Sequence, residues 1–326
     1  MTKRILSGIR ATGRLHLGNY LGMVKGMLDL QDGEHEPYFM VADLHAMTTP
    51  FDPEELRNST RDVVLDYLSA GLDPEKSTLF VQSHVPQHTE LAYLFSTTVS
   101  IARLSHLPTY KEKVKQYPKY NTMALLFYPI LMAADILLYK TDMLPVGDDQ
   151  LPHLEIAREI ARKMNEEYST DFPEPQQIKT DASYVPSLTG EGKMSKSVEG
   201  SYITITDDLE TIKSRLAGAP TDTGKGDRVP TEGGVSNLLT FVELFQGKDK
   251  RREYEKLYTS SGIKYSELKK DLARAIYEEL KPIQERRKEL ESKPDYVEKV
   301  LSDGAKKARK VAEATVKEVR KKMGLA

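Results

Sequence analysis

In the first 150 residues, short apolar runs alternate with apolar residues spaced three or four apart. Residues 4–9, 38–42, 77–81 and 143–146 are runs of strand length. Leu21, Val24 and Leu28 recur at helical spacing after the first run. Residues 52–55, Asp-Pro-Glu-Glu, form a helix start: proline suits the first turn, and the acids face the positive end of the helix dipole. That helix continues through Val63, Val64 and Tyr67 to Gly71. Near-continuous apolar strands separated by helices predict an α/β fold with a parallel sheet covered on both faces. Such sheets take ligands at the carboxyl ends of their strands.

Residues 88–140 are predicted to be mainly helical, with a basic loop at residues 110–115. A further helix carries Leu154, Ala157, Ile160 and Ala161. Residues 181–200 and 218–236 are rich in Gly, Pro, Ser and Thr and read as irregular. The remainder is helical. Leu268, Leu272, Ile276, Leu280 and Ile283 make one apolar stripe; Val300, Ala308, Val311, Thr315 and Val319 make another on a basic terminal helix. The pattern predicts a sheet domain over residues 1–200 with a helical insertion at about 88–140, a helical region over 201–295, and a terminal helix over 296–326 packing back on the sheet domain.

Composition narrows the chemistry. With 326 residues, 39% apolar and 29% charged, the chain fits a globular protein. Cysteine is absent, which excludes disulfides, thiolate metal sites and a thiol nucleophile. No apolar run approaches the ~20 residues that cross a bilayer, and the start lacks the apolar core of a secretion signal, so a cytoplasmic protein with no membrane partner is expected. The net charge of −2 divides into −7 over residues 1–200 and +5 over residues 201–326. A basic carboxyl half can attract nucleic acid, or simply be the solvated face of a charged helix. Tryptophan is also absent.

Two segments carry candidate chemistry. In residues 8–20 a glycine-bearing turn opens a helix, where Gly18 permits close approach to the backbone and a helix start favours an anion. His16 and Asn19, three apart, can both face a phosphate or ribose. In residues 192–197, Lys193 and Lys196 sit three apart on a Gly/Ser loop and can swing two ammonium groups onto a polyphosphate. Neither a dinucleotide fingerprint nor a Walker loop occurs. Asp135 lies in the apolar stretch 131–138, a poor place for an idle carboxylate. His84 and His88 have metal-like spacing but read as structural, and no metal site is expected.

Together, residues 16–19 (His-Leu-Gly-Asn) and 193–197 (Lys-Met-Ser-Lys-Ser) resemble the two motifs of class I aminoacyl-tRNA synthetases. Residues 7–9, 128–137, 145–150 and 153–155 are similar to the bacterial tryptophanyl branch, and the resemblance spans essentially the whole chain. Many bacterial members carry Gln where this chain has Arg10 and Thr where it has His16. The resemblance implies a Rossmann-like catalytic domain followed by a helical anticodon-binding region, and a homodimer. It implies activation of L-tryptophan by ATP with Mg²⁺, then transfer of tryptophan to tRNA(Trp). Lys193 and Lys196 become the catalytic residues. Arg10, Ala11, Thr12, His16, Gly18, Asn19, Gly147, Asp148, Asp149, Val185, Met194, Ser195 and Ser197, with both lysines, would border ATP. Leu6, Gly8, Ala42, His45, Tyr128, Met132, Val146 and Gln150 would line a tryptophan pocket in which Asp135 accepts the indole N–H.

Three rivals share parts of this pattern. A tyrosyl enzyme has the same fold and both motifs, but residues 131–137 and 147–150 speak against it. A small-metabolite nucleotidylyltransferase has no reason for a long basic helical appendage. A non-catalytic RNA-binding relative has no reason to keep Asn19, Asp135, Lys193 and Lys196 together.

Overall fold

The computed structural model describes residues 2–178, 184–196 and 198–325. Its sheet has the order β3-β2-β1-β4-β5, with every pairing parallel. The strands are β1 (Lys3–Arg10), β2 (His35–Ala42), β3 (Thr78–Val81), β4 (Met143–Leu144) and β5 (Gln176–Gln177). Around them, in chain order, lie α1 (Leu17–Asn19), a π-helical turn at Tyr20–Val24, α2 (Lys25–Gln31), α3 (Asp43–Ala46) and α4 (Pro53–Ala70). Next come α5 (Gln87–Phe95), α6 (Ile101–Ser105), α7 (Pro108–Gln116), α8 (Met123–Leu138) and α9 (Leu151–Tyr168). The later half holds α10 (Leu209–Ala217), α11 (Gly233–Gln246), α12 (Lys248–Tyr258), α13 (Tyr265–Glu291) and α14 (Pro294–Lys322). Among the described residues, no helix is long and apolar enough to cross a membrane.

Local chemistry accounts for the clearest boundaries. Asp52 caps α4 by accepting from the backbone N–H of Glu54 and Glu55 at 2.9 Å, and Gly71 ends the helix in the left-handed region at φ +118°. Alternation along β2 sends Tyr38, Met40 and Ala42 into the core on one face of the sheet, and Phe39 and Val41 into the core on the other. The apolar stripe of α13, Leu268 to Ile283, is buried as expected.

Three elements differ from the sequence expectation. The last expected strand shortens to the two residues of β4, and β5 is an addition at that edge. The basic segment 110–115 is not a loop but lies within α7. Pro108 starts that helix and Lys, Glu and Gln sustain it, yet it buries no residue and so leaves no apolar periodicity to read.

The connection order creates the site. From β1 the chain moves outward through β2 to β3, then returns to place β4 on the opposite side of β1. β1 pairs with β2 along eight positions but with β4 only at Ile5↔Met143. Beyond that single pairing the carboxyl ends of β1 and β4 separate, which opens a crevice at the switch point of the sheet.

α14 packs against the edge strand β3 and against α5. Gly304 makes this approach possible: a Cβ there would stand 1.8 Å from the carbonyl oxygen of Leu79. Helix propensity alone favours Ala over Gly by about 1 kcal/mol. The steric conflict with backbone reverses that sign, so Gly304→Ala is expected to lower stability by about 1–3 kcal/mol. A urea midpoint that rises on this substitution would contradict the packing.

Candidate active site

The crevice is a cavity of about 270 Å³. β1 supplies Leu6, Gly8 and Arg10, and β2 supplies Met40 and Ala42. His45 comes from α3, Tyr128, Met132 and Asp135 from α8, and Leu144, Val146 and Gln150 from β4 and the turn after it. All nine residues expected around an amino-acid ligand therefore line one cavity. Most of the wall's exposed surface is apolar, with polar and charged side chains set among it.

Asp135 is 2% exposed and is the most constrained of those groups. Its Oδ1 accepts from Gln82 Nε2 at 2.8 Å and His88 Nδ1 at 2.6 Å, and its Oδ2 accepts from His45 Nε2 at 2.7 Å. Burial pushes its pKa up, but His45 and His88 outweigh it and hold the carboxyl below its ordinary value. The carboxylate holds His88 Nδ1 as a donor, and His88 Nε2 lies 2.8 Å from the Tyr139 hydroxyl. Tyr139 in turn stacks on Tyr38 with ring centroids 4.8 Å apart. A carboxylate offers about four acceptor positions. Three are filled here, and the remaining capacity is on Oδ2 of a cavity-lining residue.

Tyr128 donates its hydroxyl to Thr109 Oγ1 at 2.8 Å and faces His153 Nε2 at 2.6 Å. Burial holds the His153 pKa down, with His45 acting in the same direction. Arg10, expected beside ATP, lies on the cavity wall. Its Nη2 donates to Thr49 at 3.3 Å, its buried Nε finds no partner among the described residues, and burial lowers its pKa.

The two motifs meet next to this cavity, on the other face of the sheet. Lys196 Nζ donates to the carbonyl oxygen of Thr12 at 3.0 Å, which docks the lysine loop on the turn after β1. Burial pushes Lys196 down to about 8, while Asp66 and Asp62 act to raise it. Burial also pushes His16 down to about 4, with Lys196 and Lys193 adding to the shift. Gly18 makes room for the contact, since a Cβ there would lie 2.8 Å from the His16 ring and 3.3 Å from Met194 Cβ. Asn19 Oδ1 accepts from His16 N at 3.3 Å. The loop base is a short antiparallel pairing in which Met194 N donates to Val185 O at 3.1 Å and Ser187 N to Gly192 O at 3.0 Å. Ala11 and Val185 are buried at this junction, Ser195 N donates to Ser201 Oγ at 3.3 Å, and Ser197 lies outside the described residues. Gly147, Asp148 and Asp149 stand at the separate turn after β4, where Gln177 donates to Asp148 at 3.0 Å.

The family model for class I tRNA synthetases of the W and Y group matches residues 2–281. The chain belongs to this family. It is 42% identical to a tryptophan--tRNA ligase of Clostridium tetani, over 99% of this chain and 96% of that one. It is 40% identical to a tryptophan--tRNA ligase of Fusobacterium nucleatum, over 99% and 98%. In fold it is similar to a Campylobacter jejuni tryptophanyl-tRNA synthetase crystallised with ADP and tryptophan, at a TM-score of 0.88 and 33% identity, covering 99% of this chain and all of that one.

Sequence reasoning missed several polar groups of this class I site. Gln82 was not anticipated, and His88 was read only as structural; both hold Asp135 from 53 and 47 residues away. Thr109, Lys113 and His153 also line the cavity. No local spacing announces such partners, because the fold alone brings them together. His84 is exposed and takes no part.

Asp135→Asn turns one acceptor of the buried carboxylate into a donor facing a donor. Loss of a charged buried partner is expected to cost about 3 kcal/mol. An unchanged urea midpoint would show that the three donors do not depend on the charge.

Proposed function

We propose that this chain activates L-tryptophan with ATP and transfers it to tRNA(Trp). The tryptophan carboxylate attacks the α-phosphate in line. A carboxyl oxygen–phosphorus bond forms, the bridge to the β-phosphate breaks, and pyrophosphate leaves. The 2′-hydroxyl of the terminal tRNA adenosine then attacks the carbonyl of tryptophanyl-adenylate, and AMP leaves. No protein nucleophile is required; catalysis is positioning and stabilisation of phosphate charge. Mg²⁺ enters with the phosphates of ATP as part of the substrate.

The remaining acceptor on Asp135 carries the assignment to tryptophan. An indole N–H donates and cannot accept, so a pocket that selects it needs a buried acceptor. A site built around such a hydrogen bond can reject an analogue without the donor by ~10⁴-fold. The apolar walls, Leu6, Ala42, Met132 and Val146, suit the ring, while Arg10, Tyr128 and Gln150 are available to the amino-acid head. Lys193 and Lys196 follow the negative charge as it moves onto pyrophosphate. Gly190 (φ +92°) and Gly192 (φ +69°) give the loop carrying them left-handed turns that other residues resist, and so act as its hinges. Ala11, Thr12, His16, Gly18, Asn19, Met194, Ser195 and Ser197 border the phosphates in this reading, and Gly147, Asp148, Asp149 and Val185 the ribose and adenine. The helical residues beyond 201 read the tRNA, two copies of the chain pair as a dimer, and the enzyme works in the cytoplasm.

Amino-acid-dependent exchange of pyrophosphate into ATP tests the first step, and charging of bulk tRNA tests the second. Exchange supported by tyrosine rather than tryptophan would overturn the assignment. The protein contains no tryptophan, so bound ligand is its own indole fluorophore. A saturable fluorescence change is expected with tryptophan, weakened ~100-fold or more in Asp135→Asn.

Lys196→Ala is expected to slow exchange by about three orders of magnitude while leaving tryptophan affinity within twofold. The useful form of Lys196 is the ammonium, which is lost as pH rises through about 8. Exchange should therefore fall on the alkaline side of that value. Lys196→Arg, whose guanidinium stays charged, should flatten that limb; an identical limb in this variant would assign it to another group.

A further inference from the structure

α13 belongs to the helical half of the chain, yet one face of it reaches both motifs. Arg287, 3% exposed, pairs with the fully buried Asp66 of α4 and with Asp62 at 2.5 Å. The second oxygen of Asp66 accepts from the backbone N–H of Leu15 at 2.6 Å, one residue before His16. Gln284 stands three residues before Arg287 and so shares its side of the helix. Its Nε2 donates to the carbonyl oxygens of Ile205 at 3.1 Å and Asp207 at 2.9 Å.

Those carbonyls belong to the segment leaving the lysine loop. Ile205 N donates to Leu15 O at 3.0 Å, Leu17 N to Ile203 O at 2.9 Å, and His16 pairs with Thr204 between them. Ser201 ties the same segment to the loop, with its Oγ bonded to Ser195 and its carbonyl oxygen accepting from Leu188 N at 2.9 Å. The turn carrying the first motif and the segment that follows the lysine loop are therefore both fixed to positions one turn apart on one helix. Nearer its start, α13 adds Glu279, which accepts from Lys25 at 3.1 Å.

We infer that Gln284 and Arg287 are positioning residues for adenylate formation: they set the separation between the turn at residues 12–16 and Lys196, and so link the helical half to the nucleotide step. This rests on the reading of Lys196 as the residue that follows pyrophosphate charge. Gln284 does not line the cavity and acts through the segment bridged to His16. Its two bonds are to backbone, so their loss shifts the segment rather than removing a ligand contact. Arg287 acts through Asp66 on the opposite side of the same turn.

Gln284→Met keeps the length of a half-buried side chain and removes its donor. The expected result is a ~10-fold lower kcat for pyrophosphate exchange, with tryptophan affinity by fluorescence unchanged. Combined with Lys196→Ala, it should add no more than a further twofold, because both losses pass through the same loop. Full exchange in Gln284→Met overturns the inference. So does a multiplicative loss in the double variant, or a fall in tryptophan affinity that follows the thermal midpoint. Gln284→Ala, assayed alongside, reads the same split if the methionine variant melts below the assay temperature. A Lys196→Ala enzyme that exchanges at the parent rate would instead remove the reading on which this rests, whatever Gln284→Met does.

Discussion

A carboxylate in an apolar helix is tolerable only if its charge is answered, and the site is organised around that requirement. Asp135 receives donors from three separate elements: His45 from α3, Gln82 from the turn after β3, and His88 from α5. An unpaired buried charge costs several kcal/mol or forces protonation. The carboxyl ends of β2 and β3 are therefore tied to α8 through one side chain. The same constraint leaves an acceptor free for an incoming donor.

The sheet separates two tasks that must nevertheless meet. One face holds the apolar cavity around Leu6, Met40 and Ala42, and the other holds the paired motif segments with Leu15, Leu17, Met194 and Ile203. The end of β1 serves both, with Gly8 and Arg10 on the cavity side and Ala11 and Thr12 leading into the turn that Lys196 touches. In the reading proposed above, the amino-acid carboxylate and the α-phosphate would meet across this one strand end. The lowered pKa values of His16 and Lys196 share burial as their first cause; for His16 the two lysine charges add to it, whereas for Lys196 the carboxylates of Asp66 and Asp62 oppose it.

Much of this was legible in the chain itself, where local rules apply. The Asp52–Gly71 helix, the first three apolar strands and the α13 stripe follow from capping and periodicity, and form where the pattern put them. Gly18 and the 193–197 loop stand out by residue type, and resemblance to a known family joined them. What escaped has a common physical cause. α7 buries nothing, so no periodicity betrays it. Two-residue strands are defined by their partners rather than their own sequence. Gln82, Thr109 and His153 are ordinary residues until the fold brings them beside Asp135 or Tyr128. The links from Gln284 and Arg287 join positions 79 and 221 residues away, and no window of sequence reads such distances.

The covering of β3 by α14 bears on how the chain is made. β3 is an edge strand of the amino-terminal sheet, and the helix lying against it comes from far later in the chain. Until that helix is made, the nascent sheet exposes an unpaired, aggregation-prone rim. Closure of that edge therefore waits on a segment made long after β3 itself, and a chain cut before α14 carries an open edge.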